Sequence, residues 1–214
     1  MARVLPAVAA GPATATALTA CAAPAGSGGA VATVEGTAHA GGFHGGTLDP
    51  PYTLPGGTFI DTEGWRTTVA AAGEGDATVV FFGYTHCPDI CNTVLAETAV
   101  ALRRAGPGVR DAVRVVFITT DPARDTPEVL RDYLDRFDPA YVGLTAPEAV
   151  VADGADHLDV SLEGARKLPG GGYAVDHGTP LFGFDAGGRG RVVWTSPTPV
   201  ADLRQDLARL VEAA

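Results

Sequence analysis

Between residues 77 and 195 short runs of β-branched and aromatic residues alternate with stretches whose apolar positions fall at helical spacing. Ala77-Thr-Val-Val-Phe-Phe82 has almost no polar interruption, the pattern of a central strand covered on both faces. Residues 93–104 follow, with Val94, Leu95, Thr98 and Leu102 near helical spacing, and Gly106-Pro107-Gly108 marks the end of that helix. Val113-Arg-Val-Val-Phe-Ile-Thr119 repeats the buried-strand pattern. Thr126-Pro127-Glu128 then offers a capping hydroxyl, a first-turn proline and an acid at the positive end of a helix dipole, which predicts a helix over 127–137. Residues 141–145 read as a short strand and 147–157 as a further helix. Beyond a break at Pro169-Gly170-Gly171-Gly172, strands are expected over 173–177, 181–184 and 191–195, then an amphipathic helix from Pro199.

Ahead of this unit, Tyr52-Thr-Leu54 and Thr58-Phe59-Ile60 flank Pro55-Gly56-Gly57 and read as a hairpin. The order βαβα followed by ββα predicts an α/β fold, a thioredoxin-like three-layer sandwich with an added N-terminal hairpin and an inserted strand and helix. One domain over 47–214 suits a chain of 214 residues with 46% hydrophobic content. Residues 1–20 carry one early charge, Arg3, and an apolar stretch ending in Leu18-Thr19-Ala20-Cys21, which resembles a bacterial lipoprotein signal with Cys21 as the lipidated residue. Residues 21–46 are mostly Ala, Gly, Ser and Thr and are expected to form a flexible tether. His39 and His44 fall inside it and read as chance linker histidines.

The formal net charge of −10 removes the basic surface that nucleic-acid binding needs. No later segment is long and apolar enough to span a bilayer, so membrane attachment would rest on lipid at Cys21. The expected location is the extracytoplasmic face of the cytoplasmic membrane.

Cys87 and Cys91 are four residues apart, so a helix beginning in their loop puts both thiols on one face at its N-terminal end. The dipole and free N–H groups there favour thiolate, and the spacing also permits a disulfide. Redox exchange ordinarily uses Cys-x-x-Cys; the extra residue here makes a metal site competitive. Two thiolates and one imidazole suit Cu(I), a soft ion content with few ligands. Zinc would want a fourth donor, which Asp89 or water could supply.

Phe82-Gly-Tyr-Thr-His-Cys-Pro-Asp-Ile-Cys91, Phe117-Ile-Thr-Thr-Asp-Pro-Ala-Arg-Asp-Thr-Pro-Glu128, Val142-Gly-Leu-Thr145 and Val175-Asp-His-Gly178 occur in that order. With these segments the chain resembles the Sco/SenC family of copper-binding cytochrome oxidase assembly factors, from about Leu48 to the C-terminus. The resemblance implies copper as the bound metal, held by Cys87, Cys91 and His177. It implies as partners the oxidase subunit that receives the copper, and another copper chaperone or a thioredoxin-like protein. Two positions depart from the family pattern: Asn92 stands where proline is common, which predicts a looser helix start, and Gly178 replaces the usual Ser or Thr, which predicts a more mobile loop at His177.

The neighbouring titratable residues have plainer readings. His86 is expected at the surface or in a hydrogen bond, since adjacent residues rarely both face one ion. Asp176 is a candidate to orient His177, and Asp89 to support the site from outside the ligand set. Asp121 reads as a turn acid paired with Arg124, and His157 as a surface histidine. Two functions follow: a metallochaperone delivering Cu(I) to the oxidase's binuclear copper centre, or a thiol–disulfide oxidoreductase. Both need the cysteines, and only the first needs His177.

Overall fold

The computed structural model describes residues 33–35, 42–162, 166–167, 173–174, 180–195 and 197–213. Strands β1 (Thr33–Glu35), β2 (Gly46–Asp49), β3 (Phe59–Asp61) and β4 (Arg66–Thr67) precede the single-turn helix α1 (Val69–Ala72). The central unit runs β5 (Ala77–Gly83), α2 (Ile90–Ala105), α3 (Pro107–Ala112), β6 (Val113–Thr119), α4 (Pro127–Leu134), β7 (Val142–Thr145) and α5 (Glu148–His157). The short strands β8 (Arg166–Lys167) and β9 (Tyr173–Ala174) are followed by β10 (Leu181–Asp185), β11 (Gly190–Trp194) and the closing helix α6 (Val200–Glu212).

Nine of these strands form one sheet in the order β1-β2-β11-β10-β5-β6-β7-β3-β4. Strands β5, β6 and β7 are parallel, as helical crossovers require, whereas β10 and β11 join antiparallel. Every residue of β5 is buried, and the side chains divide by alternation between two cores. Val79, Phe81 and Phe117 face one core with residues of α2, α4 and α6, while Val80, Phe82 and Ile118 face the other with residues of α1 and α5. The result is the expected α/β thioredoxin-like arrangement of helices, sheet and helices. The C-terminal ends of the parallel strands and the start of α2 carry the cysteine loop.

Several boundaries differ from expectation. The N-terminal hairpin is made by β3 and β4 around the turn at Thr62-Glu63-Gly64-Trp65, and β3 also pairs with β7. Residues 52–54 form no strand; Thr53 makes one isolated bridge to Arg189, because Phe59 and Ile60 find better partners on the sheet edge. Helix α4 stops at Leu134, short of Phe137. The Leu134 carbonyl accepts from the N–H groups of both Phe137 (2.9 Å) and Asp138 (3.1 Å), and Pro139 disfavours a helical Asp138. Gly106, with φ +96°, ends α2 and opens α3, with Pro107 at its first position, so the expected helix end is a junction.

Order also begins before residue 47. Phe43 is buried, and the N–H groups of His44 (2.8 and 2.9 Å) and Gly45 (2.9 Å) donate to the fully buried carboxylate of Asp206 on α6. Trp194 Nε1 donates to the same carboxylate at 2.8 Å. This part of the expected tether is therefore docked: one aromatic residue and a buried acceptor capture backbone that composition alone marks as unstructured. Residues 1–20, expected as a lipoprotein signal, Cys21 and His39 lie outside the described residues.

Candidate functional site

Strand β5 ends at Gly83, and the loop from Tyr84 to Asp89 leads directly into α2. Gly83 is required by a close approach: a Cβ there would lie 2.9 Å from Phe117 Cε2, 3.0 Å from Cys91 Sγ and 3.1 Å from Phe81 Cε1. The Gly83 carbonyl accepts from Thr120 N–H at 2.7 Å, which ties the loop's origin to the end of β6. Cys87 N–H donates to the Tyr84 carbonyl at 3.1 Å, folding the loop back on itself. Asp89 is the N-cap of α2, and Cys91 lies in the first helical turn.

Cys87 and Cys91 are both buried free thiols. Cys91 N–H donates to Cys87 Sγ at 3.4 Å. Cys87 is pulled down to about 6, first by the hydrogen bond from the Cys91 thiol and further by the backbone N–H groups of Cys91, Asp89 and Ile90, which together outweigh burial. Cys91 is pushed up, first because Cys87 holds its proton and then by burial. The pair therefore shares one proton: Cys87 is the thiolate and Cys91 the donor. Burial, followed by the charge of the neighbouring cysteine pair, pushes Tyr84 up to about 12 and keeps its phenol neutral.

A buried acid supports the loop from below. Asp125 accepts from Thr85 N–H (3.0 Å), Thr85 Oγ1 (2.6 Å) and Thr119 Oγ1 (2.5 Å), joining the loop, the end of β6 and the entry to α4. Thr85's one hydroxyl hydrogen goes to Asp125, so His86 Nδ1–H is the donor in the 2.9 Å bond to Thr85 Oγ1. His86 is thus exposed and engaged beside the loop, the hydrogen-bonding role expected of it. Asp121 pairs with Arg124, also as expected. Thr126 caps α4 by accepting from Val129 N–H at 3.3 Å, with Pro127 in the first turn. His157 is exposed, its Nε2 lying 3.0 Å from both Oγ1 and the carbonyl of Thr53.

Of the expected site residues, the structure brings Cys87 and Cys91 together. Asp89 is exposed, and its carboxylate makes no capping bond. Asp176 and His177 lie outside the described residues. Asn92 does not loosen the helix: α2 starts at Ile90, and Asn92 Nδ2 donates to the Cys87 carbonyl at 3.4 Å. Among the described residues, no group of three or more His, Cys, Asp or Glu side chains is placed to hold a metal ion. The two sulfur donors suit a soft, low-coordinate cation that takes a third ligand from elsewhere. Sequence reasoning missed Asp125 and Gly83 as parts of the site. Only Asp125 carried a signal, as the second acid of Thr-Asp-Pro-Ala-Arg-Asp-Thr-Pro just ahead of the expected helix.

A family profile described as SCO1/SenC matches residues 51–212. The chain belongs to this family. Among SCO1/SenC relatives, protein sco1 of Schizosaccharomyces pombe is 34% identical over 138 residues, covering 63% of this chain and 52% of the relative. A SCO2-like protein of Rickettsia conorii is 35% identical over 119 residues, covering 54% and 57%. The chain spans about half the length of these curated relatives. Among solved structures, Bradyrhizobium japonicum ScoI with copper bound is 35% identical with a TM-score of 0.62, over 73% of this chain and 99% of that one. Arabidopsis thaliana ScoI with copper bound is 26% identical with a TM-score of 0.65, over 74% and 99%.

Proposed function

We propose that this SCO1/SenC protein is a copper metallochaperone that holds Cu(I) with Cys87, Cys91 and His177 and passes it on during assembly of the binuclear copper centre of cytochrome c oxidase. The observation that carries this reading is the paired, buried, reduced thiols at the N-terminus of α2, in a chain similar to two proteins solved with copper bound. Cys87 already offers a thiolate, and binding a soft cation displaces the proton that Cys91 shares with it. Asp176 is assigned to orient His177, and Asp89 to stand beside the thiols outside the ligand set. The receiving partner is the oxidase subunit; a second copper chaperone or a thioredoxin-like protein would load or reduce the site. Lipid at Cys21 would hold the domain at the extracytoplasmic face of the membrane, and mass spectrometry of membrane-extracted protein checks it.

The asymmetric thiol pair favours a second reading, a thiol–disulfide oxidoreductase. There Cys87 thiolate attacks a target disulfide and Cys91 resolves the mixed disulfide after losing its proton. Copper competition titrations of the reduced protein separate the two. The chaperone reading expects one tightly held Cu(I), lost in Cys87→Ser or Cys91→Ser and strongly weakened in His177→Ala, with disulfide exchange nearly intact in the His177 variant. X-ray absorption showing sulfur but no imidazole nitrogen from His177 would overturn the ligand set in favour of the oxidoreductase.

A further inference from the structure

The Cys91 N–H has two candidate acceptors. Four residues back, the Cys87 carbonyl is the ordinary partner in an α-helix, yet the N–H goes to Cys87 Sγ instead, at 3.4 Å. The Cys87 carbonyl is accepted into a different contact, with Asn92 Nδ2 at 3.4 Å. Asn92 is in turn held by α4: the Tyr133 hydroxyl donates to Asn92 Oδ1 at 3.1 Å. Tyr133 is buried, its ring wedged between Phe117 (centroids 5.8 Å apart) and Phe137 (5.3 Å). The amide orientation is fixed by chemistry, because a flipped Asn92 would set its oxygen against the carbonyl oxygen of Cys87.

We infer that Asn92 is a positioning residue: it relays a fixed contact from the buried Tyr133 hydroxyl to the Cys87 carbonyl and so keeps the Cys91 N–H free to point at the Cys87 sulfur. With the relay in place, both peptide groups of Cys87 are tied, its N–H to Tyr84 and its carbonyl to Asn92. Without it, the Cys87 carbonyl competes for the Cys91 N–H, and the sulfur loses a donor and its set position. A proline at position 92 has no side-chain amide and could not make this contact, so the relay is a property of this chain's departure from the family pattern.

The inference rests on the copper-ligand reading only for its copper readout. The test uses the full chain, reduced and metal-free, with Asn92→Leu, Tyr133→Phe and the double variant. Asn92 is exposed and Tyr133→Phe keeps the ring, so the fold is retained; urea midpoints verify this. The amide proton shift of Cys91 is expected to move in Asn92→Leu and, by less, in Tyr133→Phe, as its acceptor changes from the Cys87 sulfur to the Cys87 carbonyl. Cu(I) affinity by chelator competition is expected to fall about 2- to 10-fold in Asn92→Leu, the range of one modest hydrogen bond. The double variant should match Asn92→Leu in both readouts, because Tyr133 acts only through Asn92. An unmoved Cys91 amide proton in Asn92→Leu, or a Tyr133→Phe effect that adds in full to Asn92→Leu, would overturn the relay. A wild-type chain that holds no Cu(I) would sink the copper reading alone, and the Cys91 amide shifts would still decide the relay.

Discussion

The backbone N–H of Cys91 points at the sulfur of Cys87 across 3.4 Å, so the helix that carries one cysteine also stabilises the thiolate of the other. The two positions are thereby unequal, although the sequence presents them as a matched pair. Cys87 is the sulfur that carries the charge, and Cys91 keeps the shared proton.

Alkylation of the reduced, metal-free protein by iodoacetamide should report this inequality. Cys87 is expected to react first, with a rate that rises with pH around a midpoint of about 6, while Cys91 stays unmodified until Cys87 is blocked. In Cys91→Ala the largest cause of the depression is gone, and the midpoint should move upward. The same shift makes the reduced fold more stable as pH rises from about 6 toward the ordinary thiol value of 9.0, and this contribution is lost as pH falls through about 6. Equal reactivity of both thiols by peptide mapping would contradict the assignment.

Gly83→Ala should damage the site through sterics alone. Its Cβ would meet Phe117 at 2.9 Å and Cys91 Sγ at 3.0 Å, and the buried Phe117 ring has little room to retreat. We expect a loss of about 1–3 kcal/mol in stability, typical of overpacking, together with displacement of the Cys91 sulfur. Urea unfolding measures the first and Cu(I) competition the second; wild-type behaviour in both would show the close approach to be unimportant.

Asp125→Asn keeps the shape but removes an acceptor-only group that three donors address, at 3.0, 2.6 and 2.5 Å. At least one donor must then face an amide NH2. Hydrogen bonds to a charged group are worth about 1.5–3 kcal/mol each, so a loss in the range of one such bond is expected in chemical denaturation. Hydrogen exchange should quicken at Thr85 N–H specifically, and an unchanged rate there would show that Asp125 does not hold the loop.

Asp206→Ala should release the chain's N-terminal approach to the domain. Its carboxylate is the acceptor for His44 N–H, Gly45 N–H and Trp194 Nε1, so the variant leaves a buried indole N–H unsatisfied. We expect a loss of about 3 kcal/mol, a rise in hydrogen exchange at residues 42–45 and a change in Trp194 fluorescence. Protection of His44 and Gly45 at wild-type levels would refute the anchoring role.

Much of this was open to inspection in the sequence. The uninterrupted apolar runs at 77–82 and 113–119 could be satisfied only by burial on both faces, and that requirement fixes a parallel core with helices on either side. The cap and proline at Thr126-Pro127 set the start of α4 by local chemistry, and Cys87 and Cys91 stood out because their spacing is a helical turn at the end of a buried strand. Each of these signals is local, so it survives in a one-dimensional record.

Only the tertiary structure decided the rest. That Phe59 and Ile60 pair with Arg66-Thr67 and with β7, and not with 52–54, depends on which partner strand reaches the sheet edge. That residues 43–45 are docked depends on Asp206, about 160 residues away, presenting a buried carboxylate that composition does not reveal. The inequality of the cysteines arises in the same way: it follows from where N–H groups point at a helix start, and from Asn92, Tyr133 and Asp125 closing around the loop from different elements. Residue type and spacing determined which groups could do chemistry. Direction, burial and long-range hydrogen bonding exist only once the chain has folded, and they determined which sulfur is charged and what holds it in place.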